Sequence, residues 1–309
     1  MQHSPSQNTP PVWFGPIMML LGATFIGFAP IGLRLGLDDL GPQAIAFWRF
    51  VFALPVLFLL VLLVERRLPS KPNRFVIVAG TCFALNMSMW HWSLTYTTVA
   101  NATFIVNLGN VCVGLTAWLF LKERPTKIWA MAVMIAIAGA AALSLGGVSG
   151  KSDLQGDALA LVAAVCVSGY IVASKVVRRT LGGLEAIFWL TCVEVLVAGL
   201  LVLGFQEKFL PEELSGFLVP LFLGVVVHVG GQGLIILGLG HTPTALAGVL
   251  VLMQPVVASA VSWRLFEEPL SPIQAAGGAL ILTGILVAQR GGRSGSWKPS
   301  QESIKASVD

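Results

Sequence analysis

WLFLKERPTKIWA at residues 118–130 and WRLFEEPLSPIQA at residues 263–275 are two versions of one passage, 145 positions apart. Sliding the chain along itself by that offset, without gaps, also pairs Leu94 with Leu239, Thr97 with Thr242, Val106 with Val251 and Gly139 with Gly284. Matches of Ala or Val come cheaply in so apolar a chain, but Trp118 with Trp263 and Glu123 with Glu268 do not. In each version a short polar joint separates two apolar runs. The repeat predicts two halves of like construction.

The runs themselves set the fold class. Of 309 residues, 56% are hydrophobic and 11% charged, whereas a soluble domain carries roughly a quarter charged residues. The apolar residues gather in stretches of about twenty, the length with which an α-helix crosses roughly 30 Å of hydrocarbon. Ten such stretches lie near 14–36, 43–64, 75–95, 100–121, 127–147, 157–178, 183–204, 215–238, 243–265 and 271–289. The expected architecture is an all-α polytopic membrane protein with ten transmembrane helices in a 5+5 inverted repeat. Five helices is an odd number, so the second half must enter the lipid bilayer from the opposite side. The domains predicted are a cytoplasmic N-terminal segment over 1–13, a first five-helix repeat over 14–147, a second over 157–289, and a disordered, Gly-, Ser- and Lys-rich cytoplasmic tail over 290–309. The first dozen residues lack the basic start and cleavage site of a signal peptide, so the first helix is expected to be retained.

Loop charge orients this array, because Lys and Arg stay on the cytoplasmic side. With the N-terminus inside, 14 of the 19 basic residues fall on inner loops or the tail, among them Arg66, Arg67, Lys71, Lys122, Arg124, Arg178 and Arg179. Arg34, Lys151, Lys208 and Arg264 fall outside or near outer ends, and Arg49 lies within the second helix. Both termini are therefore expected in the cytoplasm, with the chain multi-pass in a plasma membrane, the inner one in a bacterium. The net charge of +4 is explained by this bias and gives no sign of nucleic acid. Cys82, Cys112, Cys166 and Cys192 lie in apolar runs without metal-ligand spacing, so neither disulfides nor a metal is indicated.

The residues then resemble the EamA family of the drug/metabolite transporter superfamily. FWRF at 47–50, the stretch from TVANATF to FLKERP over 98–125, and TPTALAGVLVLMQPVVASAVSWRLFEEPLS at 242–271 carry the resemblance, which extends over about 14–289. It implies ten helices in a five-plus-five inverted repeat, with the fourth and ninth lining the solute path and the second and seventh flanking it. One departure is Asn110, which stands opposite Pro255 where the family often has proline in both copies. The fourth helix is thus expected to be less kinked than the ninth.

Polar groups inside hydrocarbon are costly unless they face protein or water, so each is a candidate for function. Glu194 lies near the middle of the seventh helix; it can be a carboxylate that titrates during transport, or a buried partner for a cation or hydroxyl on a neighbour. Arg49 can bind a substrate carboxylate, pair with Glu194, or serve structure by snorkelling to the outer interface. His228 and Gln232, four residues apart, share a face of the eighth helix and with Gly230, Gly231 and Gly233 suggest a cavity wall or close helix packing. His91, between Trp90 and Trp92, reads as an outer-vestibule residue or an interface one. Asn101, Asn107 and Asn110 on the fourth helix, and Gln254 beside Pro255 on the ninth, are candidate substrate contacts, with interhelical hydrogen bonding as the competing role. Small residues on the fifth and tenth helices, Ala132, Ala136, Gly139, Gly277 and Gly284 among them, suit scaffold packing or a homodimer surface.

The reading that follows is a secondary transporter, an exporter of small metabolites such as amino acids or amphipathic compounds. It would work by alternating access around a midplane site, with proton coupling. The chain has no Walker-type phosphate loop, no HExxH and no nucleophile with a base. Neither catalytic residues nor a cofactor is therefore expected. The alternatives are a lipid-headgroup flippase and an intramembrane enzyme.

Overall fold

The computed structural model describes residues 11–36, 40–93, 96, 99–121, 126–145, 154–205, 207–266 and 271–294. Among them are ten helical rods and no strand. α1 is Phe14–Ile26 continued, after a break at Gly27 and Phe28, as Ala29–Gly36; α2 is Pro42–Leu60 with a wider π turn at Val61–Glu65. α3 is Phe75–Ser93, α4 Val99–Leu121, α5 Lys127–Leu145, α6 Leu154–Val177 and α7 Gly183–Phe205. α8 (Leu214–Leu239) is π-wound over Leu223–Gln232. α9 consists of Thr244–Leu250 and Met253–Phe266, and α10 is Pro272–Ser294.

The rods fall where the apolar runs fall, and seven of them are long and apolar enough to cross a membrane. Shorter apolar helices within α4, α5 and α10 complete the set. Local chemistry marks the ends. Pro42, with its φ already fixed, opens α2 behind an extended Gly41. Ser271 and Gln274 form a capping box at the start of α10, each side chain bonding the other's backbone N–H at 3.2 and 3.0 Å. α10 continues through Arg290 and Arg293 to Ser294, beyond the apolar run, and basic residues suit a helix C-terminus. The remaining residues of the expected tail lie outside the described ones, as do residues 1–10.

Contacts at the ends show that the rods alternate in direction. At one end, here the basic end, Arg67 joins Glu65 after α2 to Glu185 at the start of α7, at 3.2 and 3.3 Å. Lys175, near the end of α6, donates to the carbonyls of Leu239 and Thr242 at 2.7 and 2.6 Å. Trp129 Nε1, at the start of α5, donates to Ala245 O of α9 at 2.9 Å. At the far end Glu207 accepts from the backbone N–H of Gln43 at 2.8 Å, and Trp48 Nε1 donates to Phe209 O at 2.9 Å.

The two halves are related at the level of single atoms where α5 meets α10. A methyl placed on Gly139 would come within 2.6 Å of Gly277 O and 2.8 Å of Ile281 N; one placed on Gly284 would come within 2.9 Å of Ala132 O and 3.0 Å of the Ala136 Cβ. Adding 145 carries Gly139 to Gly284, Ala132 to Gly277 and Ala136 to Ile281, so the second contact is the first with the halves exchanged. These small residues serve packing of α5 on α10, where close approach substitutes for a hydrophobic driving force that lipid does not supply.

α9 is divided between two environments. Its first part, Thr244–Leu250, packs mainly on α4, with α10, α1, α5 and α6 around it, while its second part, Met253–Phe266, packs on both parts of α1 and on α10. Leu246 to Leu252 are all buried, whereas Met253, Gln254, Val256 and Val257 are only half-buried. The break falls at Val251–Leu252, just ahead of Pro255, whose missing N–H interrupts the ladder. α4 runs unbroken past Asn110, in line with the expected difference between the two copies.

Candidate functional site

Half-way along the rods, α2, α3, α6, α7 and α8 bring polar side chains together in a region closed to solvent. Glu194 of α7 and His228 of α8 are both fully buried, with Glu194 Oε2 at 3.2 Å from His228 Nε2. The His228 ring nitrogen is directed elsewhere: Nε2 lies 2.8 Å from Thr191 Oγ1. Glu194 makes no well-aligned hydrogen bond, although the Thr191 hydroxyl lies close enough to interact with the carboxylate, and His228 Nδ1 has no partner. The imidazole stands edge-on to the Phe50 ring at 5.1 Å between centroids and is tilted against Phe83 at 5.9 Å.

Arg49 of α2 is 3% exposed and does not reach the interface by snorkelling. Its NH1 meets the Met87 thioether of α3 at 3.8 Å, and its Nε is buried without a partner. It is an electrostatic neighbour of Glu194, His228 and Tyr170 rather than a direct ion pair with any of them. Close packing holds it here, because a methyl on Gly224 of α8 would stand 2.6 Å from the Arg49 carbonyl. One turn along α8, Gln232 donates from Nε2 to the Tyr170 hydroxyl of α6, and both are buried.

The offset of 145 also organises this cluster. It carries Arg49 to Glu194, Phe83 to His228 and Met87 to Gln232. The frame that repeats at α5 and α10 thus holds a cation on one side and a carboxylate with an imidazole on the other. A buried charge stripped of its partner costs several kcal/mol, and each orphaned buried polar group about 1–3 kcal/mol. Arg49 Nε, His228 Nδ1 and the two Glu194 oxygens are orphaned together, a concentration of cost that packing alone does not require. Polar groups arranged in this way can exchange a proton or meet a polar ligand.

Of the residues singled out from sequence, the structure brings Arg49, Glu194, His228 and Gln232 to this cluster. His91 is buried, its Nδ1 2.9 Å from Pro42 O, beneath the far end. Asn107 is buried on α4. The side chains of Asn101 and Asn110 lie outside the described residues. Gln254 and Pro255 sit at the start of the second part of α9, where a methyl on Gly27, at the break in α1, would lie 3.1 Å from Gln254 O. Gly231 packs on Phe25 and Ile26 of α1, whereas a methyl on Gly233 would meet nothing within 4 Å. Sequence reasoning passed over Thr191, Tyr170 and Met87. Thr191 had a signal in its spacing of three from Glu194, and Tyr170 in being one of only two tyrosines.

Comparison with known proteins places the chain. Residues 13–145 and 154–289 each match the EamA-like transporter family. An uncharacterized transporter of Bacillus subtilis, YwfM, is 26% identical over 276 residues, covering 88% of this chain and 92% of that protein. A probable terminal-alkyne amino-acid exporter of Streptantibioticus cattleyicolor is 23% identical, covering 84% and 87%. The pseudopaline exporter CntI of Pseudomonas aeruginosa is 22% identical, covering 80% and 85%. A crystal structure 20% identical in sequence superposes with a TM-score of 0.75, covering 90% of this chain and 98% of the other, which shows a shared fold.

Proposed function

We propose, from the premise that the chain belongs to the EamA-like transporter family, that it is a secondary transporter exporting small metabolites such as amino acids or amphipathic compounds. All ten rods cross the bilayer in this reading, with the basic end and both termini in the cytoplasm. The observation that carries it is the buried cluster of Arg49, Glu194 and His228, built from both halves at mid-height. Inverted repeats commonly place a transport site at their interface, where one half rocks against the other. The exporters among its relatives, one of an amino acid and one of pseudopaline, support the cargo class.

Alternating access has a physical basis in α9. Its first part packs on α4 near the basic end and its second part lies against both parts of α1, and in this reading the α4–α9 seam opens and closes around the break between them. Proton coupling is assigned to the buried cluster, and Asn107, Gln254 and the backbone freed by Pro255 are the proposed cargo contacts along the seam. The test is uptake into proteoliposomes with a panel of labelled amino acids and amphipathic amines, with and without a pH gradient. Movement of a panel member is expected. No movement under either condition overturns the reading. Glu194→Gln is expected to abolish the pH dependence while leaving solute exchange measurable.

A further inference from the structure

Thr191 decides where hydrogen sits on the buried imidazole. Its Oγ1 lies 2.9 Å from Ile187 O and 2.8 Å from His228 Nε2. Two placements of hydrogen fit these atoms. In the first, Thr191 donates to Ile187 O and accepts from an Nε2–H, leaving Nδ1 as a bare acceptor. In the second, Thr191 donates to Nε2 and the ring hydrogen sits on Nδ1, which is buried with no acceptor. Buried N–H groups without a partner are rarer and costlier than under-used acceptors, so the first placement holds. The Nε2–H is then directed at Thr191, with the Glu194 carboxylate beside it at 3.2 Å.

We infer that His228 is the proton carrier of the transport cycle, taking its proton at Nδ1, with Thr191 as the positioning residue that reserves that atom. This rests on the proposed transport reading and names the protonated atom within it. A hydronium ion that enters as the site opens gives up one O–H bond, its proton adds to the Nδ1 lone pair, and water is left, with no bond in the protein broken. The product is an imidazolium whose Nε2–H still faces Thr191 and Glu194. The charged groups facing the ring are Arg49 from α2 and Glu194 from α7, with Tyr170 of α6 beyond Phe83. From α3 come Phe83, which packs on the ring, and Met87, and the Phe14–Ile26 part of α1 carries no titratable side chain. With Arg49 positive, Glu194 negative and the ring neutral, the cluster carries no net charge; loading raises it by one. The new Nδ1–H has no acceptor in this arrangement, so loading favours a different seating of α8. The π-wound stretch that carries His228 is where that change is taken up, π turns being frequent at functional sites.

The test is nitrogen NMR of the full chain in nanodiscs with ¹⁵N-labelled histidine, titrated from about pH 8 to pH 5 around the ordinary imidazole range. His228→Gln identifies the resonances. A single Nε2–H tautomer is expected at the alkaline end, with Nδ1 gaining the proton on acidification. Thr191→Val is expected to shift the tautomer ratio about fivefold, the factor corresponding to one net hydrogen bond, and Thr191→Ser to restore it. An Nδ1–H tautomer in the parent protein, a ratio unmoved by Thr191→Val, or an imidazole that never charges would each overturn the inference. Should the NMR agree while the proteoliposomes move no solute, the transport reading fails and the protonation site stands on its own.

Discussion

The middle of α2–α3 and the middle of α7–α8 occupy equivalent places in the two halves, yet their chemistry is opposed. The first offers Arg49, Phe83 and Met87; the second, at the same positions plus 145, offers Glu194, His228 and Gln232. The α5–α10 frame is held in common, as the exchanged contacts of Gly139 and Gly284 show; at the centre the difference lies in the side chains and in the π winding of Leu223–Gln232, whose counterpart in α3 is regular α-helix. Neither half could keep its charge in hydrocarbon by itself. Joined, they offset each other, and the titratable group is confined to one side. A symmetric scaffold has been given an asymmetric centre.

Breaking that opposition should have the largest effect. Arg49→Met leaves Glu194 buried without its cation and is expected to destabilise by about 3–5 kcal/mol, read as a fall in the thermal midpoint of the purified protein. Adding Glu194→Met should recover most of the loss, and strictly additive losses would show that the two groups do not interact. Next, Asn110→Pro would give α4 the residue at the break in α9. Because α4 is continuous at this position, a cost of about 3 kcal/mol is expected, and a neutral outcome would show the copies to be interchangeable there. Smaller again, Gly139→Ala and Gly284→Ala force the same pair of backbones apart and should each cost about 1–3 kcal/mol. Unequal values would break the symmetry claimed for α5 and α10. Least costly should be Phe83→Leu, which tests the aromatic wall on the first-half side of His228. A loss of about 1 kcal/mol is expected, with the ¹⁵N titration of His228 displaced.

Much of this frame was legible before any coordinates. Runs of about twenty apolar residues mark the rods to within a few residues because hydrocarbon thickness imposes their length. The repeat was legible from Trp118 and Trp263, and the unequal fourth and ninth helices from Asn110 facing Pro255. The assembly of the centre was not. Thr191, Tyr170 and Met87 are ordinary residues in apolar helices, and their contacts with His228, Gln232 and Arg49 depend on how five rods rotate about their axes. The π winding of Leu223–Gln232 sets part of that rotation, and no residue in the stretch signals it. His91 reads from its place near a helix end as a vestibule or interface residue, and the cover that the start of α2 gives it through Pro42 depends on packing.

The exchanged contact between α5 and α10 has a consequence for motion. If the two faces of the membrane are opened in turn by letting each half adopt the shape of the other, every contact between unlike parts must be remade at each turn of the cycle. The pairing of Gly139 with Gly277 and of Gly284 with Ala132 is carried onto itself by that exchange. Such a joint can keep its register while contacts between unlike parts are exchanged, and so can serve as an axle.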